Sequence, residues 1–401
     1  MPDRSTIYQV AQRSGVSTAT VSRVMSNSTG FSAATRDRVL ASAAELGWVP
    51  SGSARGLASR RAGIVGLLFP GLGQSGEAAE ESPLYEDQVI RGAERAAAAA
   101  GDAVLIASTL TVSGRKLAFS VAGKVDGLVV MARSLADDDV AAIARSVAVV
   151  MLASNRVRSG LDYVGADNRT GCRQITEHLI TVHGYTSIAF VGGPQQSPDS
   201  QQRFAGFRDA MNQAGLPVPE SPTATGGFTE AGGREAVRAL VAGGQPPRAI
   251  VCGNDEMAVG ALSALRSAGL RVPSDVAVTG FDDIAATRHV QPALTTVRQP
   301  MRQLGEESVR VLLDRIADPD CAPRSVVLPT QSVIRESCGC CPESHSTAAP
   351  AHLGPAHLAA AHPEPGHPEP GHLAAGDAPS ARIAPAGIPP AGIPCTDRGT
   401  S

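Results

Sequence analysis

The pattern of apolar and polar positions divides the chain into a helical head, an alternating body and a tail without periodicity. In the head, residues 6–49, a helix is predicted over about Ile7–Arg13, followed by a turn at Ser14-Gly15-Val16. Ser17 is a typical N-cap residue, because its hydroxyl accepts hydrogen bonds from the first amides of a helix. The pattern therefore predicts a helix-turn-helix unit.

The two later helices of the head each have one apolar stripe. The core positions of the second helix are Val21, Val24 and Met25. Ser32 is the predicted N-cap of the third helix, and Gly47 ends that helix. The core positions of the third helix are Val39, Leu40, Ala43 and Leu46.

The other positions of the second helix carry short or hydrogen-bonding side chains, as a recognition helix in the major groove of DNA requires. We expect three of them to read bases: Thr18, Ala19 and Arg23. We expect three nearby hydroxyls to contact phosphates: Tyr8, Ser17 and Ser22. A plain three-helix bundle with a solvated polar face is the alternative interpretation.

The charge distribution favours the DNA interpretation. Residues 1–62 contain eight arginines and three acidic residues, a formal charge of +5, whereas the whole chain carries −3. The rest of the chain therefore carries −8. A basic head on an acidic body indicates that a polyanion such as DNA binds to the head and not to the body.

The body alternates β-rich apolar runs with helical stretches, which predicts an α/β fold. The strand-like runs are 63–69, 103–108, 126–132, 147–153, 187–193, 248–253 and 275–281. Such continuous runs are typical of parallel sheets that are buried on both faces. Two successive arrays predict two doubly wound lobes, with a ligand in the cleft beyond the carboxyl ends of the strands.

Polar side chains follow the last two of these strands. Asn254 and Asp255 come after one strand, and Asp282 and Asp283 come after another. Arg203 begins a helix and offers a guanidinium fork for neighbouring hydroxyls or a carboxylate. For Asp255 and Asp283, capping of a helix or turn is the preferred interpretation.

Several motifs together resemble the LacI/GalR family of bacterial transcription regulators, from residue 6 to Ser337 with gaps. The matching segments include VSTATVSRVM, RDRVLASAAELGWVP, SPDSQQRFAGF, GNDEMAVGAL and VAVTGFDD. The resemblance implies effector binding by Arg203, Asn254 and Asp282 and stacking by Phe228, for which an ordinary core position is the alternative. Gln299 is a weaker candidate for the same site.

The resemblance also implies a domain division. A helix-turn-helix domain (1–49) precedes a hinge (50–61), in which Leu57 matches a residue that wedges between base pairs of the minor groove. A simple flexible linker is the alternative for the hinge. The two-lobed, periplasmic-binding-protein-like body spans 62–337, with lobe 1 at about 62–160 and 290–322 and lobe 2 at about 161–289 and 323–337.

The first lobe departs from the family pattern after Phe69. In the long loop GLGQSGEAAEESPLY, only Pro83-Leu84-Tyr85 resembles the usual corner. This departure leaves the effector contacts of lobe 1, and with them the identity of the effector, open.

The tail, 338–401, is rich in His, Pro, Ala and Gly and is expected to be disordered. Its histidines recur at 352, 357, 362, 367 and 372, after three cysteines at 338, 340 and 341. These residues offer ligands for a soft or borderline metal, but a disordered repeat fixes no geometry. We therefore expect no metal and no cofactor.

Three classes of function compete. A transporter's solute-binding protein would share the body but would need a signal peptide and no head, and an enzyme would need a catalytic set that the body's three histidines do not suggest. We expect a non-enzymatic, cytoplasmic repressor, found on the nucleoid when bound to DNA and without a membrane partner. Its expected partners are a pseudo-palindromic operator, a second copy of the chain and a small-molecule effector, with a sugar as the preferred class.

Overall fold

The computed structural model describes residues 5–25, 30–49, 61–70, 84–109, 114–154 and 160–341. Residues 50–60 of the predicted hinge, with Leu57, lie outside these residues, as does the chain from 342 onward. The expectation that the tail is disordered from 338 is wrong at its first residue, because Cys338 is completely buried. No helix among the described residues is long and apolar enough to cross a membrane.

Three short helices form the head: α1 (Ile7–Ser14), α2 (Thr18–Met25) and α3 (Ala33–Glu45). The predicted caps are confirmed, because the hydroxyls of Ser17 and Ser32 accept hydrogen bonds from Thr20 N and Thr35 N at 3.1 and 3.2 Å. The buried core of the head contains Val10, Ala11, Val21, Val24, Val39 and Ala43. The prediction for Leu40 is wrong: its side chain points outward and is 45% exposed, while the small Ser42 is buried beside Ala43.

The body consists of strands that alternate with helices. The strands are β1 (Ile64–Phe69), β2 (Ala103–Ser108), β3 (Gly127–Met131), β4 (Ala148–Leu152), β5 (Asp162–Ala166), β6 (Ile188–Gly192), β7 (Ala224–Thr225), β8 (Ala249–Cys252), β9 (Ala277–Thr279), β10 (Thr296–Arg298), β11 (Ser325–Leu328) and β12 (Gln331–Val333). The helices are α4 (Leu84–Ala99), α5 (Gly114–Ala122), α6 (Asp137–Ala144), α7 (Asn168–Thr181), α8 (Pro198–Gln213), α9 (Glu230–Ala242), α10 (Asp255–Ser267) and α11 (Met301–Ala317).

The strands form two parallel sheets, as predicted. The first sheet has the order β11-β5-β4-β3-β1-β2, and the second has the order β7-β6-β8-β9. Strands β10 and β12 form a separate two-stranded antiparallel pairing. The expectation of strands buried on both faces fails for β2, because it is an edge strand whose Ile106 is 47% exposed.

Helices α4 and α11 cover one face of the first sheet and touch backbone to backbone. A Cβ atom on Gly92 would lie 1.9 Å from the carbonyl oxygen of Arg302, and one on Gly305 would lie 2.0 Å from that of Val89. Only glycine fits at these two positions. The contact holds α11, which follows the second lobe in the chain, tightly on the first lobe.

The strand pairing differs from the predicted limits of the lobes. β5 and β11 belong to the first sheet, and β10 joins the second lobe through bridges from Thr295 to Thr279 and from Arg298 to Asp282. The chain therefore changes lobe directly after β5, β10 and β11, several residues later than the predicted 160, 290 and 322. Short apolar strands on either side of a crossing look alike in sequence, and only their pairing assigns them to a lobe.

Candidate functional site

The outward face of α2 carries the residues predicted to read DNA. Ala19 and Arg23 are exposed, and Thr18 and Ser22 are half-buried. Tyr8, on α1, is 74% exposed. The polar face of the helix is therefore available to a groove, while Val21 and Val24 hold its other face in the core.

Two of the predicted DNA contacts also have roles within the head. The Ser17 hydroxyl caps α2 and lies 3.0 Å from the hydroxyl of Thr20. The guanidinium carbon of Arg23 lies 5.9 Å from the centre of the Phe31 ring, which limits the directions in which the arginine can extend.

A cavity of about 240 Å³ lies between the two sheets of the body. Its walls follow the carboxyl ends of strands from both sheets, including Pro70 after β1, Ala153 after β4, Pro194 after β6 and Asn254 after β8. All five predicted effector residues line it: Arg203, Phe228, Asn254, Asp282 and Gln299. The structure thus brings together residues that are far apart in sequence, at the place where parallel sheets bind ligands.

Arg203 is the central cation of this cavity. It is 3% exposed, and its Nε and Nη1 atoms donate to Asn168 Oδ1 and to the carbonyl of Gly253 at 2.8 and 2.6 Å. Its guanidinium carbon lies 3.9 Å from the centre of the Phe281 ring. Among the described residues, nothing accepts a hydrogen bond from Nη2, so this nitrogen is the part of the side chain that remains for a ligand.

Asp282 is the matching anion. Its Oδ1 atom lies 3.4 Å from Arg203 Nη1 and accepts a hydrogen bond from Gln299 Nε2 at 2.5 Å. Burial raises the pKa of Asp282 to about 6, although Arg203 and Gln299 act in the opposite direction. Its backbone has a φ of 121°, a strained conformation that aims the carboxylate toward the cavity.

Sequence reasoning missed two members of this polar cluster. Asp199, in the first turn of α8, accepts a hydrogen bond from Asn168 Nδ2 at 2.9 Å, and burial raises its pKa. Tyr85, from the first lobe, places its hydroxyl in a fully enclosed position without a hydrogen-bond partner among the described residues. Burial, and then the charges of Asp199 and Asp282, raise the pKa of Tyr85.

An enclosed hydroxyl without a partner costs free energy unless something binds it. Tyr85 lies at the start of α4, directly after the loop that departs from the family pattern, and only the folded structure places it near Asp199. It lines the cavity from lobe 1, the lobe whose effector contacts the sequence left open.

Two predicted ligand residues, Asn254 and Phe228, also make contacts within the protein. Asn254 caps α10: its Oδ1 atom accepts from Met257 N, and its Nδ2 atom donates to the carbonyl of Phe228, each at 3.0 Å. The Phe228 ring packs closely on Gly193 while another part of it lines the cavity. Asn254 therefore keeps one free amide hydrogen, and Phe228 serves both the core and the cavity wall.

Asp255 and Asp283 have structural roles, but not the helix capping that was preferred for them, because Asn254 is the cap of α10. Asp255 is completely buried and accepts hydrogen bonds from Thr296 Oγ1 and Ile284 N, which fixes the loop after β9. Burial acts to raise the pKa of Asp283, but hydrogen bonds from Arg335 and Arg298 outweigh burial and hold that pKa below its ordinary value. Neither carboxylate lines the cavity.

The chemistry of the cavity suits a neutral ligand with many hydroxyl groups. Among the described residues, its lining has four acidic side chains (Glu86, Asp199, Glu256 and Asp282) and two arginines (Arg133 and Arg203). Carboxylates accept hydrogen bonds from hydroxyls, and the apolar walls provide surface for the carbon-bound faces of a ring. The part of the lining that the structure describes contains no histidine or cysteine.

Family models match both parts of the chain. The model for bacterial regulatory proteins of the lacI family matches residues 6–51, and that for the periplasmic-binding-protein-like domain matches residues 176–338. The HTH-type transcriptional regulator CelR of Thermobifida fusca is 33% identical over 339 residues, which are 83% of this chain and 98% of the relative. The chain belongs to the LacI family of bacterial transcription regulators.

Solved structures of LacI-family proteins agree with this assignment. The lac repressor dimer bound to operator and the anti-inducer ONPF has a TM-score of 0.72 and 28% identity, covering 84% of this chain and 99% of that one. A complex of CelR with cellobiose has a TM-score of 0.62 and 33% identity, covering 83% and 100%. This LacI-family chain is therefore a non-enzymatic, DNA-binding transcription regulator with the two-lobed body of its relatives.

Proposed function

We propose that this LacI-family regulator is a repressor that binds a pseudo-palindromic operator as a homodimer, and that a sugar in the cleft controls its affinity for the operator. The observation that supports a sugar as the effector is the polar cluster at the cavity, formed by Arg203, Asp282, Asp199 and Tyr85. A sugar supplies what this cluster needs, namely acceptors for Arg203 Nη2 and Tyr85 Oη and hydroxyl donors for the two carboxylates.

The charge of the cavity supports a neutral sugar over an anionic metabolite. Among the described lining residues the acids outnumber the arginines, so we expect a phosphorylated or carboxylated ligand to bind less well than a neutral sugar. Phe228 offers a single aromatic face, which suits one face of a pyranose or furanose ring. The cellobiose bound to CelR supports the same class of ligand.

The homodimer follows from the small reach of one head. A single recognition helix contacts only a few base pairs, and two heads related by a two-fold axis double the length of the site. The lac repressor, which is similar to this chain, binds its operator as a dimer. We further infer that the protein works in the cytoplasm, on the nucleoid when it occupies its operator.

We propose the division of the chain into head (1–49), hinge (50–61), body (62–337) and tail (338–401), with the buried Cys338 added to the body and with the lobes exchanging after β5, β10 and β11. The effector assignment is tested by calorimetric titration of the full chain with neutral mono- and disaccharides, and with nucleosides and phosphorylated sugars as controls. We expect saturable binding of a neutral sugar, and this sugar should change the affinity for operator DNA. Binding of only a nucleoside or an anionic ligand would contradict the proposal.

The base contacts are tested by exchanging Thr18 and Ala19 for other pairs and selecting DNA sites from a randomised pool. The preferred sequence should change while affinity for random DNA stays nearly constant, because neither side chain is charged. An unchanged preference would show that other residues read the bases.

A further inference from the structure

Three metal-ligating side chains meet in the second lobe at a place that the effector cleft does not include. One donor atom each from His178, His183 and Cys338 lies within 4.8 Å of the other two. The cavity between the sheets contains none of these residues. They join the end of α7 to the chain segment that follows β12, although Cys338 is far from the histidines in sequence.

The end of α7 brings the two histidines together. His178 is in the last turn of the helix, which ends at Thr181. Gly184 has a φ of 67°, and its amide returns to the carbonyl of Ile180 at 3.0 Å, so the chain reverses at this point. The reversal places the ring of His183 against that of His178, with centroids 5.1 Å apart and planes at 78°.

The third donor is held by its neighbours. Cys338 is completely buried, and its carbonyl accepts a hydrogen bond from the Tyr185 hydroxyl at 3.2 Å. Gly339 has a φ of 109°, and a Cβ atom there would lie 3.2 Å from His183 Cε1. The absence of a side chain at Gly339 therefore allows the peptide to approach the imidazole closely.

We propose that His178, His183 and Cys338 bind a zinc-class transition metal ion. Two imidazoles and a thiolate are preferred ligands of zinc, whereas magnesium and calcium require oxygen ligands. Small movements of the side chains bring the three donor atoms to the ligand separations of a tetrahedral ion. Both histidines are only partly buried, so an ion can reach them. The fourth position remains for another donor.

The site has a structural role in the lobe rather than a role in the cleft. Helix α7 contains 14 residues and is about 21 Å long. Its first residue, Asn168, holds Arg203 in the cleft, and its last turn carries His178. A metal ion at the far end of α7 clamps this helix to the segment after β12 without contacting an effector. Metal binding should therefore raise the stability of the lobe by mass action.

The experiment measures zinc binding to the full chain, purified without a histidine tag and stripped with a chelator. Competition with a chromophoric chelator should give a high-affinity stoichiometry of about one zinc per chain. His183→Asn and Cys338→Ser should each weaken zinc binding at least about 10- to 100-fold, the loss that changes around metal ligands already cause. Zinc should raise the unfolding temperature of the wild type and leave that of both variants nearly unchanged.

Two control variants separate this site from other histidines. His289→Asn changes an exposed histidine elsewhere in the body. A second control replaces the six tail histidines, at 345, 352, 357, 362, 367 and 372, together. Both should bind zinc as the wild type does. Zinc binding that persists in His183→Asn and disappears in the tail variant would assign the metal to the tail and overturn the proposal.

Cobalt provides a test that does not depend on stability. The Co²⁺-loaded wild type should show thiolate-to-cobalt charge-transfer absorption, and this band should be lost in Cys338→Ser and retained in the tail variant. If Cys338→Ser fails to fold, because Cys338 is buried, the partly buried His183→Asn decides the question through the zinc affinity. Cobalt binding to the wild type without a charge-transfer band would overturn the assignment of Cys338.

Discussion

Asp282→Asn is the substitution that tests the cleft most directly, because it removes one charge and keeps the shape of the side chain. In the folded protein Asp282 interacts with Arg203 and Gln299, and at about pH 7.5 it is ionised, since its pKa is raised only to about 6. A hydrogen bond to a charged group contributes about 1.5–3 kcal/mol, which corresponds to a factor of about 10–150 in affinity. We expect the affinity for the sugar to fall by this factor.

The same substitution should not unfold the protein. Because burial raises the pKa of Asp282 above its ordinary value of 3.8 to about 6, the folded state favours the protonated acid. The shift corresponds to about 3 kcal/mol, which stabilises the fold fully below pH 3.8 and is lost as the pH rises through about 6. Asparagine resembles the protonated acid, so the variant should be at least as stable as the wild type near pH 7.5.

The pH dependence of sugar binding gives a second measurement. If hydroxyls of the sugar donate to ionised Asp282, the affinity of the wild type should fall by up to about tenfold for each pH unit below 6. Asp282→Asn should lack this pH dependence. Any pH dependence that remains is assigned to Asp199, because burial also raises the pKa of Asp199. Sugar affinity is measured by calorimetry between about pH 5 and 7.5, and operator binding by fluorescence anisotropy with and without sugar.

Operator affinity without sugar should be close to that of the wild type, because Asp282 is in the cleft and not in the head. A variant that keeps the wild-type sugar affinity and its pH dependence would refute the role of Asp282. A variant that unfolds at a much lower temperature near pH 7.5 would refute the reasoning about its charge.

Three further predictions concern other parts of the chain. Asp283→Asn should lower the free energy of unfolding by about 3 kcal/mol and leave sugar affinity nearly unchanged, because it breaks buried ion pairs outside the cavity. Urea unfolding measures the loss, and an effect on sugar affinity alone would contradict the prediction. Gly305→Ala should cost about 1–3 kcal/mol in the same assay, because its Cβ would lie 2.0 Å from the Val89 carbonyl; wild-type stability would show that α4 and α11 separate easily. Leu57→Ala should weaken operator binding far more than binding to random DNA, as measured by anisotropy, and equal losses would show that no wedge is used.

The fold was predictable from the sequence where periodicity and caps agree. Ser17, Ser32 and the apolar runs of both sheets predicted elements that the structure confirms. The lobe limits were not predictable to the residue, because β5 and β11 have the same apolar character as strands of either lobe. Leu40 was misassigned because Val39 and Ala43 already fill the stripe of α3 that faces the core.

The candidate site was predictable only in part. Arg203, Asp282 and Gln299 lie in motifs that the family resemblance supplied, and the structure brings them to one cavity. Tyr85 lies in a segment that only weakly resembles the family's corner, and its enclosed hydroxyl without a partner among the described residues is created by the packing of α4. The cluster of His178, His183 and Cys338 has no sequence spacing of a metal motif, because distant segments of the chain form it.

The proposed coupling between cleft and head follows from how the first lobe holds the chain that enters it. Asp126 accepts hydrogen bonds from the amides of Ala62 and Gly63 at 2.5 and 2.8 Å, so the segment that leaves the predicted hinge is fixed to the first lobe at its first residues. A sugar that joins Tyr85 of the first lobe to Asp199 and Asp282 of the second favours one arrangement of the lobes. In a dimer, a shift of the two first lobes moves the points at which both hinges begin, and thus changes whether both heads fit one operator. The change in operator affinity can be no larger than the difference between the sugar's binding free energies in the two arrangements, typically about 1–3 kcal/mol.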